Sequence, residues 1–290
     1  MNSMKPIPYG KQYIDGQDIR EVVRVLRSDW VTQGPKIAEF EENLKKYCGA
    51  KYCIAVSSGT AALHIACLAA GIKKGCEAIT SPITFVASAN CILYCGGMPV
   101  FSDIDIKTAN IDAAKIEDKI NKRTKAVIPV HFAGSSCDML EIKSIAKKHG
   151  LIVIEDAAHA LGGTYRNDKI GSCSYSDMAI LSFHPVKSIT TGEGGAILTN
   201  NKELYEKVLL LRNHGITKEK GKLTDCDGPW YYEMKHLGFN YRITDIQAAL
   251  GVSQLRKIDR FIERRRWIAS LYDRAFDGNP YFNLLQEGRR

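Results

Sequence analysis

No stretch of this sequence approaches the apolar length that a membrane-spanning helix needs. The opening segment 1–10, with Lys5, Pro6 and Pro8, has no apolar core of the kind a secretory signal requires. Neither a repeat period nor a low-complexity run interrupts the chain, which excludes solenoids and disordered arrays. Nine cysteines are present, but Cys48, Cys53, Cys67, Cys76, Cys91, Cys95, Cys137, Cys173 and Cys226 show neither zinc-site spacing nor a disulfide framework. They fall mostly inside apolar runs, so reduced, buried thiols in a cytoplasmic protein are expected, and no metal site. Aromatic residues do not interleave with the basic clusters, so the net charge of +8 makes no nucleic-acid surface by itself. The excess sits at 218–222, at 264–266 and at Arg289 with Arg290, and reads as solvated helix faces. A positive field that attracts anionic ligands is the functional alternative.

What is present is an ordinary globular balance, 45% apolar and 25% charged, in 290 residues, enough for one large domain and a smaller piece. Short runs rich in Val and Ile, at 52–57, 78–81, 99–102, 126–130, 151–155, 178–183 and 196–199, read as buried, largely parallel strands. Between them 60–70, 85–95, 113–120, 139–149 and 204–212 can form amphipathic helices, as can 15–28 and 37–48 upstream. The pattern is that of an α/β domain. The turn-rich segment 31–35 could act as a lid, and Thr244 could cap one long helix continuing towards Tyr272.

In open α/β sheets ligands sit beyond the carboxyl ends of the strands, so the residues that follow each run carry the functional question. Ser57-Ser58-Gly59-Thr60-Ala61-Ala62 joins a strand to a helix, and its glycine and free backbone donors could cradle an anion. Simple helix capping explains the same residues. The run 151–155 ends in Glu155 and Asp156, with His159 a turn onward; a carboxylate at that rim could keep a pyridine nitrogen protonated, or merely cap a helix. Lys187, in Ser182-Phe183-His184-Pro185-Val186-Lys187-Ser188, lacks neighbouring acids, and would be nucleophilic only if its ammonium form were destabilised by an apolar pocket or a cation. Taken alone it reads as a solvated lysine. Phe85, in Pro82-Ile83-Thr84-Phe85, could stack on a flat cofactor or fill the core.

The anion cradle, the aromatic, the acid and the lysine, each at a strand end and in this chain order, resemble the fold-type I pyridoxal-phosphate enzymes. With Gly192-Glu193-Gly194-Gly195 added, the motifs are similar to those of the DegT-type nucleotide-sugar aminotransferases, over about residues 9 to 282. Thr32-Gln33-Gly34, Thr190-Thr191, Gly251-Val252-Ser253-Gln254-Leu255 and Asn279-Pro280-Tyr281-Phe282 look most like the branch serving pseudaminic acid synthesis. The resemblance implies a mostly parallel seven-stranded sheet flanked by helices, with a partial C-terminal small domain. It implies a cofactor-binding domain over 1–242, followed by a linking helix and the start of an apparently truncated small domain over 243–290. Pyridoxal 5'-phosphate is the implied cofactor. Lys187 would hold it as a Schiff base and move a proton; Asp156 would pair with its ring nitrogen, Phe85 would stack on the ring, and His159 would lie beside its phenolic oxygen. Gly59, Thr60, the Ala61 amide and Ser182 would surround its phosphate, with Asn240 of a second subunit, so a homodimer is expected. L-Glutamate would give its amino group to C4 of a UDP-linked 4-keto-6-deoxy-N-acetyl hexose. Dehydratase relatives carry histidine where this chain has Lys187. Neither nucleic acid nor membrane is an expected partner.

Overall fold

The computed structural model describes residues 8, 10–225, 228–281 and 283–286; Lys5, Pro6, Tyr9, Cys226, Phe282, Arg289 and Arg290, which figure in the sequence reading, lie outside them. Seven strands form the main sheet: β1 Tyr52–Val56, β2 Glu77–Thr80, β3 Met98–Phe101, β4 Thr124–Ile128, β5 Ile152–Asp156, β6 Met178–Ser182 and β7 Gly195–Thr199. Their order is β1-β7-β6-β5-β4-β2-β3. From β6 to β3 all pairings are parallel, whereas β7 runs antiparallel between β1 and β6. The sheet is therefore mostly parallel and seven-stranded, and every expected strand is found within a residue or two of its expected bounds.

Among the described residues eight α-helices surround it: α1 Gly16–Leu26, α2 Pro35–Cys48, α3 Gly59–Ala69, α4 Ala87–Tyr94, α5 Met139–His149, α6 Lys202–Arg212, α7 Asp245–Leu255 and α8 Ile258–Phe276. Local chemistry sets their ends. Asp15 opens α1 and Thr244 opens α7 through capping boxes with Asp18 and Gln247, each satisfying orphan amides of the first turn. Pro35 begins α2, where its missing N–H costs nothing.

Alternation along the strands sends Ile54, Val56, Ile180 and Ile197 to one face, against α3, α4 and α6, through Ala62, Ile65, Cys91 and Val208. The opposite residues Ala55, Ala179, Leu181 and Leu198 meet Phe40 and Leu44 of α2 and Ala248 and Val252 of α7. A third cluster joins Ile79, Val127 and Val153 to Ile142 and Ile145 of α5. Each fully buried Leu, Ile or Phe contributes about 1.5–3 kcal/mol, so helices on both faces hold the strand ends in register.

Three local expectations change. Residues 113–120 form two short 3-10 turns, Ala113–Lys115 and Glu117–Lys119. The long helix expected after Thr244 is broken between α7 and α8 at Arg256 and Lys257. The segment 31–35 is fastened: the buried Asp245 carboxylate accepts the Gly34 amide at 2.7 Å and the Lys36 amide at 2.8 Å. No helix among the described residues is long and apolar enough to cross a membrane.

Candidate active site

The site is assembled at one end of the sheet, where β1, β5 and β6 release their chains. Ser58 caps α3 by accepting the Ala61 amide at 3.0 Å, and the first amides of a helix have no partner inside it. With Ala61 engaged by the cap, the amides of Gly59 and Thr60 are the ones that α3 presents. Gly59 lies directly against Ser182 at the end of β6: a Cβ on Gly59 would sit 2.9 Å from the Ser182 Cβ and 3.1 Å from its Oγ. From the other side, a Cβ on Gly195 would lie 2.5 Å from the Ser58 carbonyl carbon. Two glycines thus let three chain segments close together, the first turn of α3 packing against Ser182 and β7 against Ser58.

Asp156 ends β5 and is 6% exposed. Its Oδ2 accepts from Ser88 Oγ at 2.6 Å and its Oδ1 from the Ala158 amide at 3.2 Å. No lysine or arginine pairs with it among the described residues. A buried carboxylate without an ion-pair contact is costly; Lys187 feels its charge but makes no such contact, so a cationic group placed against Asp156 would be stabilised there. Its neighbour Glu155 points to the opposite face, where it is buried as well: His131 Nε2 lies 2.7 Å from its Oε2, and the Ser176 hydroxyl donates to its Oε1. The Cys137 amide donates to His131 Nδ1, so the ring's Nε2 carries the proton toward Glu155. Glu155 is thereby a structural acid, and Asp156 alone faces the site.

Lys187 is half-buried in a tight loop after β6. The Thr190 hydroxyl and the Thr191 amide both bond to the Phe183 carbonyl, the Lys187 amide bonds to the His184 carbonyl, and Arg265 of α8 donates to the Lys187 carbonyl at 2.7 Å. Burial pulls the Lys187 ammonium below its ordinary pKa, against the opposing pull of the Asp156 charge. His159 is likewise shifted down, first by desolvation and then by the Lys187 charge, with Asp156 acting the other way. Lys187, Asp156 and His159 therefore share one electrostatic neighbourhood. Phe85 is 69% exposed, which rules out a core role and leaves its ring face free.

The first amides of α3 packed against Ser182, an exposed aromatic ring, a buried carboxylate without an ion-pair contact and an amine with lowered proton affinity together suit pyridoxal phosphate. Comparison with known proteins agrees. The model of the DegT/DnrJ/EryC1/StrS aminotransferase family matches residues 12–289. The chain belongs to this family. It is 44% identical over 284 residues to the UDP-4-amino-4,6-dideoxy-N-acetyl-beta-L-altrosamine transaminase of Campylobacter jejuni serotype O:23/36, covering 97% of this chain and 72% of that one. Among solved structures it resembles Helicobacter pylori PseC, an aminotransferase of pseudaminic acid biosynthesis, with a TM-score of 0.88, 39% identity, and 96% and 73% of the two chains covered. The PLP-form of the putative sugar aminotransferase Spr1654 from Streptococcus pneumoniae superimposes with a TM-score of 0.86 at 32% identity, covering 94% of this chain and 72% of that one. This chain is accordingly a fold-type I, pyridoxal-phosphate-dependent aminotransferase acting on nucleotide sugars.

Within the family fold, Gly59, Thr60, Ala61, Ser182, Asp156, His159 and Lys187 all stand at the same end of the sheet, with Phe85 tied to Asp156 through Ser88. Asn240 stands apart. It is exposed, its backbone pairs with Asn213, and no side-chain bond joins it to the cluster. Two contributors escaped the sequence reading. Ser88 sits in a helix far from Asp156 along the chain, and Arg265 reads locally as part of a basic run; only the three-dimensional packing reveals either.

Proposed function

We propose that this aminotransferase moves an amino group from L-glutamate to C4 of a UDP-linked 4-keto-6-deoxy-N-acetyl hexose, yielding a 4-amino sugar for pseudaminic acid or a related surface glycan. The observation that carries the aminotransfer chemistry is the half-buried Lys187 amine, its ammonium form disfavoured by burial, near a buried Asp156 that makes no ion-pair contact. The choice of sugar rests on the likeness to the altrosamine transaminase.

Bound pyridoxal phosphate supplies an electron sink for the charge left when a proton leaves the amine-bearing carbon. The residues of the chain do the rest. Lys187 would hold the cofactor through its half-buried amine, and that amine, its ammonium form disfavoured by burial, could take up and return a proton at the reacting carbon. Asp156 would pair with the ring nitrogen and keep it protonated, Phe85 would stack on the ring, and His159 would lie beside the phenolic oxygen. Thr60, Ser182 and the amides of Gly59 and Thr60 would receive the phosphate, and the Ala61 amide would have to be shared with the Ser58 cap. Asn240 of a second copy completes the cradle. A homodimer is supported by exposed apolar side chains around α4 and the β3 edge, including Val86, Leu93, Tyr94, Met98 and Phe101, each between 48% and 58% exposed. We assign 1–242 to cofactor binding and 243–290 to the linking helices and the start of the small domain. A cytoplasmic site of action suits the eight described cysteines, all free.

The test is direct. Purified protein given pyridoxal phosphate should show a long-wavelength absorbance band that borohydride fixes to Lys187, and Lys187→Ala should lose it. L-Glutamate should convert the cofactor to its amino form, and a UDP-linked 4-keto sugar should restore it faster than a GDP-linked one, with ping-pong kinetics. Persistence of the band in Lys187→Ala overturns the site, whereas preference for another nucleotide or donor overturns the substrate alone.

A further inference from the structure

We propose that Ser88 is a positioning residue for the Asp156 carboxylate, and that Thr84 behind it fixes the direction in which the Ser88 hydroxyl donates. The inference rests on Asp156 being the partner of the cofactor's ring nitrogen.

Ser88 lies in the first turn of α4 and is 0% exposed. Its Oγ is 2.6 Å from Asp156 Oδ2 and 2.7 Å from Thr84 Oγ1. A serine hydroxyl has one proton, and an ionised carboxylate only accepts. The Ser88 proton therefore goes to Asp156, and Thr84 must donate to Ser88. The result is a directed relay, Thr84 O–H to Ser88 O–H to Asp156 Oδ2, in which each bond polarises the next.

Nothing else in α4 calls for a hydroxyl at this position. Val86 is the N-cap residue and makes no side-chain cap, and the contact from Ser88 Oγ to the Phe85 carbonyl is long, at 3.4 Å. A fully buried polar group is retained where it is satisfied, and here the satisfaction comes from the catalytic carboxylate. With Oδ2 held by Ser88 and Oδ1 by the Ala158 amide, the plane of the carboxylate is fixed from two sides. Each oxygen keeps a lone pair for a ring nitrogen. Thr84 and Ser88 also bracket Phe85, so one short segment sets both the stacking ring above the cofactor and the acid at its edge. Loss of either hydroxyl should loosen the acid while leaving the phosphate cradle, built on α3 and β6, in place.

The experiment uses holoenzyme loaded with pyridoxal phosphate labelled with 15N in the ring, whose NMR shift reports the proton on that nitrogen. Asp156→Asn should move the resonance towards that of neutral pyridine. Ser88→Ala should move it part of the way and slow the glutamate half-reaction about 10-fold, the scale of one hydrogen bond to a charged group. The KM for the sugar nucleotide should stay within about two-fold, because the change acts on the acid alone. Ser88→Thr, which keeps the hydroxyl, should restore the shift. Thr84→Val, close in shape and partly exposed, should give a smaller displacement in the same direction, and it decides the question if the buried Ser88 variants do not fold. If Asp156→Asn leaves the resonance unmoved, the assignment of Asp156 fails and this inference with it. If Asp156→Asn moves the resonance but neither Ser88→Ala nor Thr84→Val does, the positioning role is refuted and the site stands.

Discussion

Replacing Gly195 with alanine should damage cofactor capture without touching any group that bears chemistry. The added methyl would lie 2.5 Å from both the Ser58 carbonyl carbon and oxygen, and 2.7 Å from the Gly59 nitrogen. Comfortable carbon contacts begin near ~3.5 Å, so the first turn of α3 and β7 must separate by about 1 Å. Both sides are backbone, and no flexible side chain can swing away. Overpacking of this kind costs roughly 1–3 kcal/mol of stability, about 2–10 °C in Tm for a domain of this size. Binding should suffer more. A displacement near 1 Å can cost about 100-fold where geometry is exacting, so the Kd for pyridoxal phosphate should rise between ten- and a hundred-fold. Absorbance titration of apoprotein at a temperature where the variant is folded gives the Kd, and a thermal melt gives the stability. Gly71→Ala is the control: Gly71 has φ +81° and its Cβ would meet nothing within 4 Å. It should lose about 1 kcal/mol to backbone strain and bind the cofactor as the parent does. If folded Gly195→Ala also binds as the parent does, the reading of the cradle as a close-packed backbone site is wrong.

Three further outcomes follow from the electrostatics. Because burial lowers the Lys187 pKa from 10.5, the rate at which apoprotein captures pyridoxal phosphate should rise with pH and level off below that value; a midpoint at or above 10.5 contradicts it. His159 should titrate below its ordinary 6.5 by NMR, staying neutral at pH 7, and Lys187→Ala should raise its midpoint by removing a nearby positive charge. An unchanged midpoint would separate the two groups. Finally, Asp18 is fully buried, with Lys257 Nζ at 2.6 Å and Gln254 Nε2 at 2.8 Å. Asp18→Ala leaves Lys257 paired with Asp15 at 2.9 Å but strips the buried Gln254 amide of one acceptor, and should cost about 1–3 kcal/mol, seen as a fall in Tm while the cofactor band survives below the transition.

The strands were legible because each is a short apolar run between turn residues, and the sheet's mostly parallel character followed from helices between them. The reversal of β7 was not: an apolar run carries no arrow, and direction is set by the hairpin-like return through Gly192 to Gly195. Residues 113–120 have helical spacing, yet the chain there makes only single turns, held by Asp112 and by contacts of Ile116 in the α5 cluster. Lys187, Asp156, Ser182 and Gly59 could be picked out because strand ends mark ligand positions in such sheets. Ser88 could not, since its partner lies 68 residues away and a serine in a helix signals nothing by itself. The basic run 264–266 looked like one solvated face, but its members differ: Arg264 stacks 3.8 Å over Trp267, while Arg265 reaches the Lys187 carbonyl.

The antiparallel placement of β7 also dictates when the site can exist. Val56 and Ser182 both pair with Gly195, so the α3 turn and the Lys187 loop are brought face to face by a strand that follows both of them in the chain. A nascent polypeptide that has yielded β1 through β6 still holds β1 unpaired and β6 with an open edge, and nothing yet sets the α3 turn against the Lys187 loop. Contacts of such long sequence separation form late and slowly, and open edges invite pairing with other chains while they wait. Cofactor capture should then mark the closing event of folding, and pyridoxal phosphate present during synthesis should act as a trap for the finished sheet.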